Sequence, residues 1–133
     1  MPDLTLRRFL IDTNIVIAIF AQETGVLQRL QQALFYFLPS IVLGELYYGA
    51  RKSGRVEANV QRVEDFVAHN AVLDCDAETA RHYGLIREAL RAKGKPIPEN
   101  DIWIAALALQ HDLTLVSRDA HFNEIDGLSV VVW

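Results

Sequence analysis

Paired cysteines are missing from this chain: Cys75 is the only one in 133 residues. A lone thiol excludes an internal disulfide and fits a reducing compartment. No cysteine–histidine spacing of zinc type occurs either. An excess of positive charge is also missing, with 13 Lys and Arg against 17 Asp and Glu and a net charge of −4. Charge balance therefore does not advertise nucleic-acid binding, although local patches and bound cations can override it. No unbroken apolar run reaches the roughly 18 residues that a membrane span needs. The opening MPDLTLRRFL lacks a leader layout, because Arg7 and Arg8 are soon followed by Asp12. Repeats, low-complexity segments and linkers are absent. These absences lead to the expectation of a cytoplasmic protein with no membrane association and one domain, residues 1–133.

What is present is an ordinary globular balance, 51 % hydrophobic and 23 % charged, enough for one sizeable core. Apolar runs alternate with helical periodicities. Phe9–Ile11 reads as a strand, and Ile15–Phe20 continues apolar beyond the interrupting Asp12, Thr13 and Asn14. Val26–Leu34 fits a short helix, with Leu27, Leu30 and Leu34 at helical spacing. Phe35–Leu38, closed by Pro39, fits a strand, and Ser40 is placed to cap a helix running to Gly54. Val56, Val60, Val63 and Val67 mark one helix face. Ala71–Leu73 fits a strand, and Asp76 a cap for a helix with Ala80, Tyr83, Ile86 and Leu90 inward, up to Gly94. A dense apolar helix over Asp101–Gln110 and strands over Leu113–Val116 and Leu128–Trp133 complete the reading. Short strands separated by helices predict a three-layer α/β/α domain with a mainly parallel sheet.

Asp12 poses a problem, since a carboxylate inside an apolar run is costly unless paired, hydrogen-bonded or bound to a cation. In open α/β sheets, sites form beyond the carboxyl ends of the strands. Asp12 ends the first strand, and Asp119 follows the strand LTLVS. Asp101 lies in the first turn of its helix, and Glu45 about one turn into its own. Helices of such folds begin on the same rim, so the four acids are predicted to converge. Taken singly, each also fits a cap, a turn or a solvated helix position; only the joint pattern points to a site. Clustered carboxylates repel unless a cation joins them. Oxygen ligands suit magnesium or manganese, and an ion so held activates water and shields phosphate charge. Phosphodiester cleavage is the matching chemistry. Asp12 at the strand exit and Asp101 at the facing helix start are the principal expected metal ligands, with Glu45 and Asp119 as the other candidates.

The four stretches resemble the PIN domain, in particular the VapC-type ribonuclease toxins of bacterial and archaeal toxin–antitoxin pairs. FLIDTNIVI resembles the opening strand with its DTN, and SIVLGELYYGARKS the motif with Glu45. ENDIWIAALALQHDLTLVSRDAHF resembles the motifs with Asp101 and Asp119, and GLSVVVW the closing strand. The likeness covers nearly the whole chain in order. It implies a magnesium-dependent endoribonuclease, manganese being the other candidate ion. It also implies a homodimer held inactive by a cognate VapB-type antitoxin. The catalytic acids would be Asp12, Glu45, Asp101 and Asp119, with Asn14 and Ser117 as supporting polar residues near the metal.

Other readings are weaker. A haloacid-dehalogenase-type phosphatase needs Asp-x-Asp, and the third position here is Asn14. His111–Asp112 suggests an HD-type hydrolase, but His69, His82 and His121 lack the accompanying spacing. Only His121, close to Asp119, could bear on the site. A degenerate PIN domain serving as an RNA-binding or scaffold module would have lost acids, and none is lost. A PIN nuclease of RNA processing, without a toxin role, fits the same residues. Arg51, Lys52, Arg55 and Arg62, and Arg81, Arg87, Arg91, Lys93 and Lys95, are candidates for phosphate contacts or for solvated helix faces. Tyr47, Tyr48 and Trp103 fit core or dimer contacts better than base stacking.

Overall fold

The computed structural model describes residues 8–133; the N-terminal layout discussed above lies outside them. Five strands, β1 (Arg8–Ile11), β2 (Phe35–Pro39), β3 (Ala71–Leu73), β4 (Thr114–Val116) and β5 (Val130–Val131), pair in parallel in the order β3-β2-β1-β4-β5. Six helices connect them: α1 (Thr13–Phe20), α2 (Thr24–Gln32), α3 (Ser40–Arg51), α4 (Val56–Ala68), α5 (Ala77–Ala92) and α6 (Glu99–Gln110). The chain moves outward from β1 to β3, then returns past β1 to β4. Right-handed crossovers then put α1–α4 on one face of the sheet and α5 and α6 on the other. The direction reverses between β1 and β4, and such a switch point is where an open sheet leaves a crevice.

The core follows from the apolar runs. Leu10, Ile11, Leu38, Leu115 and Val116 of the inner strands are fully buried, against Ile15 and Val16 of α1 and Ile104 and Leu107 of α6. Helix α6 is enclosed almost all round, with Asp101, Ile102 and Ile104–Ala108 buried. A helix so apolar belongs inside, and its first turn carries Asp101 inward with it. Helix α5 starts at a capping box, in which Asp76 accepts from the Thr79 amide and Thr79 Oγ1 accepts from the Asp76 amide. It ends in a Schellman motif: Gly94, at φ +68°, donates to Arg91 O, and Lys95 donates to Leu90 O.

The apolar stretch after Asp12, left unassigned by its pattern, is α1, because Asp12 Oδ1 accepts from the Thr13 amide and turns the chain into a helix. Two local expectations change. Ser40 lies inside α3 rather than before it; Pro39 occupies the cap position, and the helix ends at Arg51, short of Gly54. Only Val130 and Val131 of the last apolar run join the sheet, where β4 offers two partners, Leu115 and Val116.

Beyond β4, a 3-10 turn over Ala120–Glu124 is pinned by Phe122, which is fully buried. Removing that ring should leave a cavity under the turn. Phe122→Ala is expected to cost about 3–5 kcal/mol, read as a lower urea midpoint with an unchanged m-value.

Candidate active site

Register brings the first two site residues together. Ile11 and Val116 are partners across β1 and β4, and the Asp12 amide donates to Val116 O at 3.0 Å. Asp12 and Ser117 therefore leave the sheet side by side, although 105 residues apart in sequence. Ser117 Oγ donates to Asp12 Oδ2 at 2.6 Å and accepts from the Asp119 amide at 3.0 Å. Asn14 Nδ2 lies 3.3 Å from both Asp12 Oδ2 and Ser117 Oγ. The Asn14 carbonyl in turn accepts from the Arg118 amide at 3.1 Å, tying the loop after β4 to α1. The Arg118 guanidinium extends this tie, reaching both carboxylate oxygens of Glu23 and Trp133 O.

The other acids enter from helix starts. Asp101 comes from the first turn of α6 and Asp119 from the cap of the 3-10 turn. His121 Nδ1 sits between them, 3.1 Å from Asp101 Oδ2 and 2.9 Å from Asp119 Oδ1. Glu45, one turn into α3, is held from two sides: Thr13 Oγ1 donates to Oε2 at 2.5 Å, and Asn100 Nδ2 to Oε1 at 3.3 Å. The structure thus brings Asp12, Glu45, Asp101 and Asp119 to one rim, with Asn14 and Ser117 between them. Thr13 binds both Asp12, through its amide, and Glu45, through its hydroxyl, while Asn100 and His121 are additional members. His121 had only its proximity to Asp119 as a signal. Asn100 had none, because its partner lies 55 residues away. Beside Glu45 a groove opens, lined by Thr13, Ile17, Phe20, Gly49, Asn59 and Arg62.

The electrostatics are unbalanced. Among the described residues, no Lys or Arg side chain pairs with any of the four acids; His121 alone forms ion pairs with them. Burial pushes the Asp12 carboxyl above its ordinary range, with Ser117 and Thr13 pulling it back and Glu45 and Asp119 repelling it. Asp101 is pushed up to about 6, first by burial and further by Asp119 and Asp12, with His121 opposing. The His121 imidazole is raised as well, foremost by its contact with Asp101. Asp101 and His121 titrate as a coupled pair, and both directions are upward: the cluster retains protons toward neutrality. The residues present fit a divalent cation, since carboxylates of this density lack any other strong counter-charge. One atom each from Asp101, Asp119 and His121 lies within 4.8 Å of the others.

The remaining candidates separate clearly. Arg81 pairs with Glu78, Arg87 with Glu99 and Arg91 with Glu88, all on exposed faces. Tyr47 packs against the core, and Trp103 stacks on Tyr83 at 4.1 Å. Tyr48 instead stays 67 % exposed under Lys52.

A pH dependence follows from Asp101. A carboxyl raised to about 6 in the fold, from 3.8 otherwise, contributes stability that is full below pH 3.8 and lost as pH rises through 6. Metal-free protein should therefore lose stability between pH 4 and 7 relative to Asp101→Asn, whose profile should be flatter. Chelator-treated melts across that range check this.

Comparison with known proteins identifies the family and the fold. Residues 9–128 match the PIN domain family. The chain is 39 % identical over 129 residues to ribonuclease VapC2 of Haemophilus influenzae, covering 95 % of this chain and 98 % of that one. It is 37 % identical to the tRNA(fMet)-specific endonuclease VapC of Shigella flexneri, over 95 % and 98 % of the two chains. Among solved structures, VapBC2 of Rickettsia felis bound to a promoter DNA fragment superposes with a TM-score of 0.88 at 30 % identity, covering 95 % and 98 %. DNA-bound VapBC of Salmonella typhimurium reaches the same TM-score at 34 % identity over the same shares. The chain belongs to the PIN domain family, as a homologue of the VapC ribonucleases.

Proposed function

We propose that this chain, as a single PIN domain, is the toxin of a VapBC-type toxin–antitoxin pair. In this reading it is a magnesium-dependent endoribonuclease acting in the cytoplasm, with manganese as the alternative ion. The observation that carries this reading is the buried Asp12 carboxylate at the switch point, facing three further acids with no Lys or Arg partner among the described residues. Supporting it, the relatives are named as ribonucleases or endonucleases, and the solved relatives were captured as VapBC complexes. No helix among the described residues is long and apolar enough to cross a membrane.

Asp12 and Asp101 are the principal metal ligands in this reading, joined by Asp119 and Glu45. When bound, the ion supplies a water of lowered pKa and a counter-charge for the scissile phosphate. Ser117 and Asn14 hold Asp12 in one rotamer, so the carboxylate reaches the ion without reorganising. Thr13 and Asn100 each donate to one Glu45 carboxylate oxygen, which fixes the side chain where it would help hold the ion. Assembly as a homodimer is part of this reading.

Transfer RNA is the first substrate to test. Cleavage is expected with magnesium or manganese and not with EDTA. Asp12→Asn and Asp101→Asn should lower it by orders of magnitude. Asn caps a helix about as well as Asp, and neutralisation relieves repulsion. Both metal-free variants should therefore match wild type or exceed it by up to about 1–2 kcal/mol. Magnesium should raise the melting temperature of wild type alone. Variants that unfold easily yet still cleave RNA would show that Asp12 and Asp101 are caps and that the site lies elsewhere.

Expression of the chain alone should slow growth of the host, and a short reading frame beside its gene should relieve the effect. Harmless overexpression of cleavage-competent protein would remove the toxin role and leave RNA processing.

A further inference from the structure

His121 stands outside the set of four acids, yet among the described residues its ring is the only side chain that pairs with the carboxylates of two of them. Its position is built in. The Asp119 amide donates to Ser117 Oγ, and the His121 amide donates to Asp119 Oδ1 at 2.9 Å. The next residue, Phe122, anchors the turn in the core. The imidazole is therefore delivered to the rim by the same short segment that delivers Asp119. Its side chain is 49 % exposed, against 13 % for Asp101 and 34 % for Asp119, so Nδ1 faces the acids while the ring stays open to solvent.

We propose that His121 is a metal ligand in this chain and biases the site toward manganese and related first-row transition ions over magnesium. The inference rests on the metal-dependent reading of the site given above. Nδ1 lies 3.1 Å from Asp101 Oδ2 and 2.9 Å from Asp119 Oδ1. Neighbouring ligands on an octahedral ion with bonds of about 2.1 Å stand about 3 Å apart. Two of the three donor separations thus already match neighbouring ligands on one ion, and all three atoms lie within 4.8 Å of one another. Two carboxylates with one imidazole form a mixed oxygen–nitrogen set. Magnesium prefers an all-oxygen shell and gives up its waters reluctantly. Imidazole nitrogen favours transition ions.

The test uses the full chain with manganese chloride and magnesium chloride as probes. Pulsed electron paramagnetic resonance of the manganese-loaded wild type should show nitrogen-14 modulation from a bound imidazole. The modulation should vanish in His121→Ala and in His121→Gln. The manganese Kd, from binding titration, should rise about tenfold or more in both variants, while the magnesium Kd, from competition, changes less than twofold. Melting curves check that the variants fold, and the exposed position of His121 makes two such substitutions tolerable. Manganese bound to wild type without nitrogen modulation, or an unchanged manganese-to-magnesium preference in the variants, would overturn the role of His121 and leave the metal site standing. Failure of wild type to bind either ion would overturn the metal-dependent reading as well.

Discussion

A single hydrogen bond between two strand exits organises this molecule: Ser117 Oγ to Asp12 Oδ2, 2.6 Å, buried. The bond exists because β1 and β4 are neighbours although the chain visits β2 and β3 between them. It answers the cost of placing a carboxylate at the end of an apolar strand, since a buried acid needs donors aimed at it. Asp12 accepts from Ser117, Asn14 and the Thr13 amide. One of these bonds starts α1, another closes the crevice, and Ser117 passes the constraint on to Asp119. Strand pairing, helix initiation and site assembly share one set of atoms.

The same cluster keeps an imbalance that the rest of the fold sustains. Hydrogen bonds satisfy Asp12 locally, but they do not cancel the charge of Glu45, Asp101 and Asp119. Burial of Asp101 on an enclosed helix raises its proton affinity further. Such strain is tolerable because Leu10, Ile11, Ile104, Leu107 and Leu115, all fully buried, hold the sheet and α6 rigidly beneath it. An uncompensated group of acids on a rigid support is what a cation-binding site requires.

Outside the cluster, the charged surface mixes short-range and long-range pairs. Arg81–Glu78 and Arg91–Glu88 are exposed i, i+3 contacts of small energetic value. Arg62, over the Phe20 ring, differs because it lines the groove beside Glu45. A basic side chain there faces the route to the acids rather than a neighbour on its own helix.

The sequence by itself determined the elements whose signals are local. The period of Val56, Val60, Val63 and Val67, the Asp76 cap and the stop at Gly94 each depend on residues a few positions apart, and so did the alternation that implied a parallel sheet. The acids at strand exits and helix starts were legible for the same reason, since a general rule of open sheets places those points on one rim. Ser40 misled because capping propensity is local, while the start of α3 was set by where β2 ends at Pro39. Only tertiary structure decided which polar groups meet. Thr13 turned to Glu45, Asn100 reached the same carboxylate, and His121 came to rest between Asp101 and Asp119. Those contacts depend on strand order and on the depth at which α6 and Phe122 seat in the core, quantities that no spacing along the chain encodes.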